Sequence, residues 1–324
     1  MLLAAASILF GFVALIWSAN VLVAGAASIA RNLGISPLII GLTIVSLGTS
    51  APEILVSLTA SLSHAGPLAI GNAIGSNIAN IALVLGVTAL VAPLMVDEQC
   101  LRREIPVLLL ATVGVGALIL DGALSIQDGC LMLAAMALII AFLVFSQPGR
   151  AEQAAKPSDE PMPELPPLRA WSTFLFGLLV LILSSKLLVW GAVIVAEELG
   201  VSELIIGLTV VAVGTSLPEL AASIASALRG HTEIAFGNII GSNLFNLLAV
   251  MAIPGIVGGQ VLDPEAISRD YASMAALTFF LAFAIFVSVK RSKSAPKHAY
   301  IGRIMGTVLV SSYALYYYFL LTTQ

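Results

Sequence analysis

The chain has 324 residues, 59% of them hydrophobic and 10% charged, with a formal net charge of −4 and a mean hydropathy of +1.06. Soluble domains carry charge on about a quarter of their residues, so this composition excludes an ordinary soluble domain, and the weak acidic balance offers no basic surface for nucleic acid. The apolar runs have the roughly 20-residue length of spanning helices and lack the alternation of an outer-membrane barrel, which predicts an all-α membrane protein set in a lipid bilayer.

Ten apolar runs predict ten transmembrane helices. The first covers 3–30 and is long for a span, which implies tilt. No basic residue precedes Arg31, so the basic start of a cleaved signal peptide is missing and the run is expected to be retained. The second and third runs cover 37–63 and 67–91. A polar segment, 97–104, carries Arg102 and Arg103, and the fourth and fifth runs follow at 105–120 and 129–145. From Gln147 to Arg169 there are six prolines with mixed charge and no apolar period, the composition of a flexible linker. The chain therefore divides into a first half, 1–146, a linker, 147–170, and a second half, 171–324. Runs six to ten occupy 171–196, 204–228, 234–258, 271–289 and 300–321.

Basic residues set the orientation. With the amino terminus outside, Arg31, Arg102, Arg103, Arg150, Lys156, Arg169, Arg229, Lys290, Arg291, Lys293, Lys297 and Arg303 are cytoplasmic. The exterior holds only Arg269, and Lys186 lies within the sixth run. So lopsided a split predicts both termini outside and the linker inside.

Two blocks occur twice. GLTIVSLGTSAPE, from Gly41 to Glu53, returns as GLTVVAVGTSLPE, from Gly207 to Glu219. GNAIGSNIAN, from Gly71 to Asn80, returns as GNIIGSNLFN, from Gly237 to Asn246. The offset is 166 residues throughout, as from Gly41 to Gly207, with no gap. Ser18, Leu22 and Gly25 match Ser184, Leu188 and Gly191 at the same offset, which makes the first run part of the repeat. Five helices per half is an odd number, so the copies enter the membrane in opposite directions, as two inverted five-helix repeats. Such a fold brings Glu53 and Glu219 together near the midplane.

Those two are the only carboxylates flanked on both sides by long apolar sequence, and a carboxylate at that depth costs several kcal/mol unless it lines a polar cavity or binds something. A hydrogen-bonded cluster that merely glues helices is the bland alternative. It loses ground because both copies repeat the same polar residues at the same spacing. Thr49 and Ser50 stand four and three residues before Glu53, on one helix face, and Thr215, Ser216 and Glu219 repeat this. Pro52 and Pro218 lack an amide hydrogen and release the carbonyls of Gly48 and Gly214, which a bound cation is one way to satisfy. Ser76 and Asn80 add a second face, mirrored by Ser242 and Asn246. Asn77 and Asn243 are expected to point elsewhere and hold a helix break, and Asn72 and Asn238 could do the same. The glycines at 71, 75, 237 and 241 fit plain helix packing at least as well as a break.

An all-oxygen set of this kind suits hard cations such as Ca²⁺ and Na⁺ and disfavours zinc or copper. Cys100 and Cys130 have neither metal-ligand spacing nor a pairing pattern. His64, His231 and His298 fall at helix ends or in loops and are expected to be solvated. No HExxH, GxSG or GxGD constellation occurs, so the sequence supplies no enzyme and calls for no cofactor.

GTSxPE followed by GNxxGSNxxN in each of two inverted halves resembles the alpha repeats of the calcium/cation antiporter superfamily, the Na⁺/Ca²⁺ exchanger family, and within it the compact bacterial inner-membrane members of the YrbG type. The resemblance implies a ten-helix antiporter in which the second, third, seventh and eighth helices form the ion sites while the long first and sixth slide across them. It implies Ca²⁺ and Na⁺ as substrates and a ligand set of Thr49, Ser50, Glu53, Ser76, Asn80, Thr215, Ser216, Glu219, Ser242 and Asn246, with backbone carbonyls near Ser46 and Ala212. Several relatives carry Asp where this chain has Asn246, so the site here holds two formal charges rather than three. The short linker leaves no room for the calcium-sensing domain of animal exchangers, and a monomer is expected. A Ca²⁺/H⁺ antiporter on the same fold and a cation channel lined by the same carboxylates are the competing readings.

Overall fold

In hydrocarbon every backbone amide must find a partner within the protein, and long runs of Leu, Ile, Val and Ala do this as helices. The computed structural model describes residues 1–145, 165–200, 210, 212–292 and 298–322. Its first half holds α1 (Leu2–Leu33), α2 (Pro37–Thr49), α3 (Ala51–Leu62), α4 (Gly66–Val91), α5 (Glu98–Leu118) and α6 (Ile126–Phe145). The second holds α7 (Pro167–Glu198), α8 (Ala212–Thr215), α9 (Leu217–Leu228), α10 (Thr232–Gly258), α11 (Ala266–Arg291) and α12 (Arg303–Thr322). Among the described residues six helices are long and apolar enough to cross a membrane, or seven if α2 and α3, which meet at 44°, form one bent span. The protein is an all-α multi-pass membrane protein.

Local chemistry explains most boundaries. Gly34 closes α1 in the left-handed conformation (φ 62°), its amide bonding back to the last turn. Pro167 opens α7 at a position where a missing amide hydrogen costs nothing. Ser125 and Asp128 cap α6 reciprocally, the Asp128 carboxylate accepting from the Ser125 amide at 2.8 Å and the Asp128 amide donating to the Ser125 hydroxyl at 3.2 Å.

Several expectations need correction. The fourth helix does not begin at 105: α5 takes in most of the polar segment and begins at Glu98, supported by an Arg102–Glu98 ion pair at 3.1 Å, one helical turn apart. Residues 167–170, assigned to the linker, are the first turn of α7; the linker's 147–164 and the opening of the seventh run at 204–209 lie outside the described residues. The second run is not one continuous helix but breaks at Ser50. His64 is exposed, with φ 58°, but His231 is half-buried with its Nε2 out of solvent. Glu104 is also buried, at 2% exposure, so Glu53 and Glu219 are not alone in that respect.

Two short antiparallel ladders join distant loops. β1 (Leu94–Asp97) pairs with β4 (His298–Ile301), Leu94 opposite Ile301 and Asp97 opposite His298. β2 (Ala123–Leu124) pairs with β3 (Gln260–Val261). Burial separates centre from periphery: 83% of the apolar stretch of α10 and 72% of that of α4 lie inside, against 33% for α1 and 22% for α7. Thus α4 and α10, which carry the GNxxGSN blocks, form the middle, while α1 and α7 pack along each other.

Candidate ion-binding site

The Gly-Thr-Ser-x-Pro-Glu blocks become helix breaks because proline cannot donate the hydrogen bond that would continue a helix. Ser50 and Ser216 adopt nearly the same non-helical conformation, φ −82° with ψ 5° and φ −87° with ψ 2°. Pro52 and Pro218 sit at the start of the following helices, and Glu53 and Glu219 fall in the first turns of α3 and α9. Unpaired amides and the helix dipole there favour negative charge.

Both carboxylates are buried, at 1% and 0% exposure, and lie within Coulombic reach of each other. Ser50 connects the halves: its hydroxyl lies 3.1 Å from Glu219 Oε1 and 3.1 Å from the Ser242 hydroxyl. Thr49 donates to Asn238 Oδ1 at 3.1 Å. The Asn80 and Asn246 positions fall in π-helical turns, Ala79–Leu85 and Asn246–Val250, a geometry that misaligns backbone carbonyls and is frequent at functional sites. The turn bearing Asn246 packs on α3, which carries Glu53, and the turn bearing Asn80 packs on α9, which carries Glu219. Each carboxylate-bearing helix therefore packs on the π-turn of the other half.

The satisfaction of these groups is incomplete in a telling pattern. Glu53 Oε2, Glu219 Oε2, Ser216 Oγ and both amide atoms of Asn80 and of Asn246 are buried without a hydrogen-bond partner. A buried orphan costs about 1–3 kcal/mol, and these come from both halves. Acceptor oxygens dominate the set, which is the chemistry that desolvates a hard cation. Ser76 is buried and Thr215 half-buried beside them. Among the described residues no three His, Cys, Asp or Glu side chains gather as a softer metal centre would need.

Other residues act at one remove. Asn72 donates to the Glu53 carbonyl at 3.1 Å and Asn238 to the Glu219 carbonyl at 3.4 Å, so both hold the helix turns that aim the carboxylates. Asn238 also reaches the Ser223 hydroxyl at 3.0 Å, and Ser57 donates to the Val250 carbonyl at 2.9 Å. Asn77 and Asn243 turn away, to the Met274 sulfur at 3.5 Å and the Ile239 carbonyl at 2.7 Å. The Gly214 carbonyl freed by Pro218 accepts from Ser185 of α7 at 2.9 Å, so a side chain satisfies it rather than an ion. Ser57 and Ser223 are related by the 166-residue offset, a signal that could have flagged them.

A Cβ on Gly41 would stand 2.6 Å from the Ile234 carbonyl, and one on Gly237 or Gly241 would strike the backbone of α2, so α2 lies directly on α10. Gly71 and Gly75, the counterparts of Gly237 and Gly241, meet nothing within 4 Å among the described residues; most of 203–215, the segment that repeats α2 at the 166-residue offset, lies outside them.

A multi-pass helical fold with two buried carboxylates close enough to interact, and with buried hydroxyls and amides from both halves, defines a membrane protein built to handle a hard cation. The profile of the family described as sodium/calcium exchanger protein matches residues 3–145 and 169–322, and the chain belongs to that family. It is 43% identical to CaxA of Alkalimonas amylolytica over 100% of both chains. It is 41% identical to the inner membrane protein YrbG of Escherichia coli, over 87% of this chain and 88% of that one. Its structure is similar to that of the sodium-calcium exchanger NCX_Mj soaked with Na⁺ and Ca²⁺, with a TM-score of 0.81, 30% identity and 97% of each chain covered.

Proposed function

We propose that the protein is a secondary-active antiporter that exchanges Ca²⁺ for Na⁺ across the membrane by alternating access. The observation that carries this is the set of buried, unpartnered oxygens contributed by both halves, in a fold shared with a sodium-calcium exchanger. The ion ligands are Thr49, Ser50, Glu53, Ser76 and Asn80 with Thr215, Ser216, Glu219, Ser242 and Asn246, and both substrates compete for them. Exchange between two alternative packings of the halves opens the site to one side and then the other.

The chain has ten spans in two inverted halves, 1–146 and 171–324, joined by a cytoplasmic linker at 147–170, with both termini outside. The ladders support this count through parity, since paired strands must share one side of the membrane. Between β2 and β3 lie α6, α7 and α10, three crossings, and pairing demands an even number. The segment ending in α9 supplies the fourth. With it, five helices separate β1 from β4, and α5 makes the sixth. The remaining spans are α1, the bent pair α2 and α3, α4 and α12.

Calcium uptake into proteoliposomes driven by an outward Na⁺ gradient tests the function. Uptake is expected to collapse when the Na⁺ gradient is dissipated and to vanish in Glu53→Gln with Glu219→Gln. Uptake that ignores Na⁺ and follows a pH gradient would refute sodium coupling. For the topology, single cysteines at Leu33 and Gln127, both exposed, on a background lacking Cys100 and Cys130, are expected to react with impermeant thiol reagents from opposite sides. Reaction from one side would break the alternation.

A further inference from the structure

The lipid-facing side of α11 ends in a groove that the transport cycle does not use. It has a volume of about 530 Å³, within the usual range of ligand pockets. Phe280, Phe283 and Val287 form its wall, and Arg291, His298 and Tyr300 close its end. The spacing of Phe280, Phe283, Val287 and Arg291 follows one helix face. Phe280 and Phe283 are 39% and 65% exposed, so the wall is open from the side. Ser288 fixes the closed end, accepting from the Tyr300 amide at 2.8 Å and lying 3.2 Å from the Tyr300 carbonyl.

Charge and length say what fits. Lys290 and Arg291 form the last turn of α11, and among the described residues no carboxylate pairs with either. Lys290 lies over the Phe286 ring, 4.5 Å from its centroid, which keeps the ammonium at the apolar boundary. From Phe280 to Arg291 the helix rises about 17 Å, close to half of a bilayer's roughly 30 Å hydrocarbon core. The wall thus runs from mid-membrane to the headgroup level of one leaflet, and the cations stand where that leaflet's phosphates lie.

We propose that this groove holds one anionic phospholipid, its phosphate between Lys290 and Arg291 and one acyl chain along Phe280, Phe283 and Val287. Bound there, the lipid fastens β4 and the end of α11 to the basic side of the membrane. This inference needs only that α11 spans the bilayer and stands apart from the ion coupled at the central site.

Native mass spectrometry of the intact chain released from detergent micelles, titrated with phosphatidylglycerol, phosphatidylcholine or inorganic phosphate, tests it. One phosphatidylglycerol adduct is expected at concentrations where phosphatidylcholine gives none, and excess inorganic phosphate should not displace it. Each Lys or Arg near the surface contributes about a fivefold gain in anionic-lipid binding. Lys290→Gln with Arg291→Gln should therefore weaken the adduct about 25-fold, while Arg291→Lys retains it. Ala284→Trp, which fills the half-buried middle of the groove, should weaken it with both charges intact. Equal retention of phosphatidylcholine, displacement by free phosphate, or an adduct indifferent to the paired glutamines would each overturn the proposal.

Discussion

A carboxylate inside hydrocarbon stays charged only if something nearby compensates it, and Glu53 and Glu219 have unusually complete preparation for that. Each follows a proline in the first turn of a helix, where the dipole favours negative charge, and an asparagine bonds the carbonyl of each. What is left unmade is on the side-chain oxygens themselves and on Asn80 and Asn246. If Asn246 is a ligand, Asn246→Asp adds a third charge beside the cation, and a divalent ion gains twice what a monovalent one does. Its apparent Ca²⁺ affinity relative to Na⁺ is then expected to rise about tenfold, equal to about 1.4 kcal/mol, in competitive flux assays; an unchanged ratio would remove Asn246 from the site. The polar positions of the two blocks were legible because polar residues in apolar sequence recur at one offset; the resemblance is what made ten of them a ligand set. The partners of Asn72 and Asn238 were not, since nothing in sequence spacing says which carbonyl an amide will reach. Glu104 escaped notice for a similar reason: its neighbours in sequence are charged, and only packing buries it.

At the scale of elements, the seam between α1 and α7 is built for close approach. Gly11 meets Leu188 and Gly177 meets Leu22, while Gly25 meets Phe174 and Gly191 meets Ala4 and Ser7. Residues 11 and 177, like 25 and 191, are one repeat apart, so the seam has the symmetry of the whole chain. A Cβ on Gly25 would stand 2.5 Å from the Phe174 amide nitrogen, and backbone cannot yield as a side chain can. Overpacking of this kind costs about 1–3 kcal/mol. Gly25→Val is therefore expected to slow exchange about tenfold or more by prising α1 from α7, with equilibrium Ca²⁺ binding nearly unchanged, as checked by flux against isotope binding on the same preparation. Equal loss of both would mean the seam merely supports the fold. Helix positions were legible from apolar length, but the 44° break at Ser50 and the early start of α5 were not. For the first, Pro52 marks where the helix breaks but the angle follows from how α3 packs against the Asn246 turn; the second depends on an ion pair that holds charged residues in helix. The ladders were invisible for the same physical reason, since strands of two to four residues have no periodicity of their own and exist through partners far away in the chain.

At the scale of the whole molecule the question is why such a site exchanges ions instead of leaking them. Switching between the two packings carries the site through an occluded state, and two uncompensated carboxylates make that passage expensive by several kcal/mol. One Ca²⁺, or enough Na⁺, cancels the charge, and each 1.4 kcal/mol relieved speeds the switch about tenfold. The loaded carrier crosses and the empty one does not, which is obligatory exchange without any separate gate. Calcium efflux from proteoliposomes is accordingly expected to be slow into choline medium and at least about a hundredfold faster into medium holding Na⁺ or Ca²⁺, at constant pH and clamped voltage. Neutralising one carboxylate, as in Glu219→Gln, halves the charge to be carried, so it should narrow that gap by raising efflux into choline even as it weakens Ca²⁺ binding. Equal efflux into all three media from the unaltered protein would mean that the empty site crosses freely, and the carboxylate pair could not then be the reason the two ion flows are coupled.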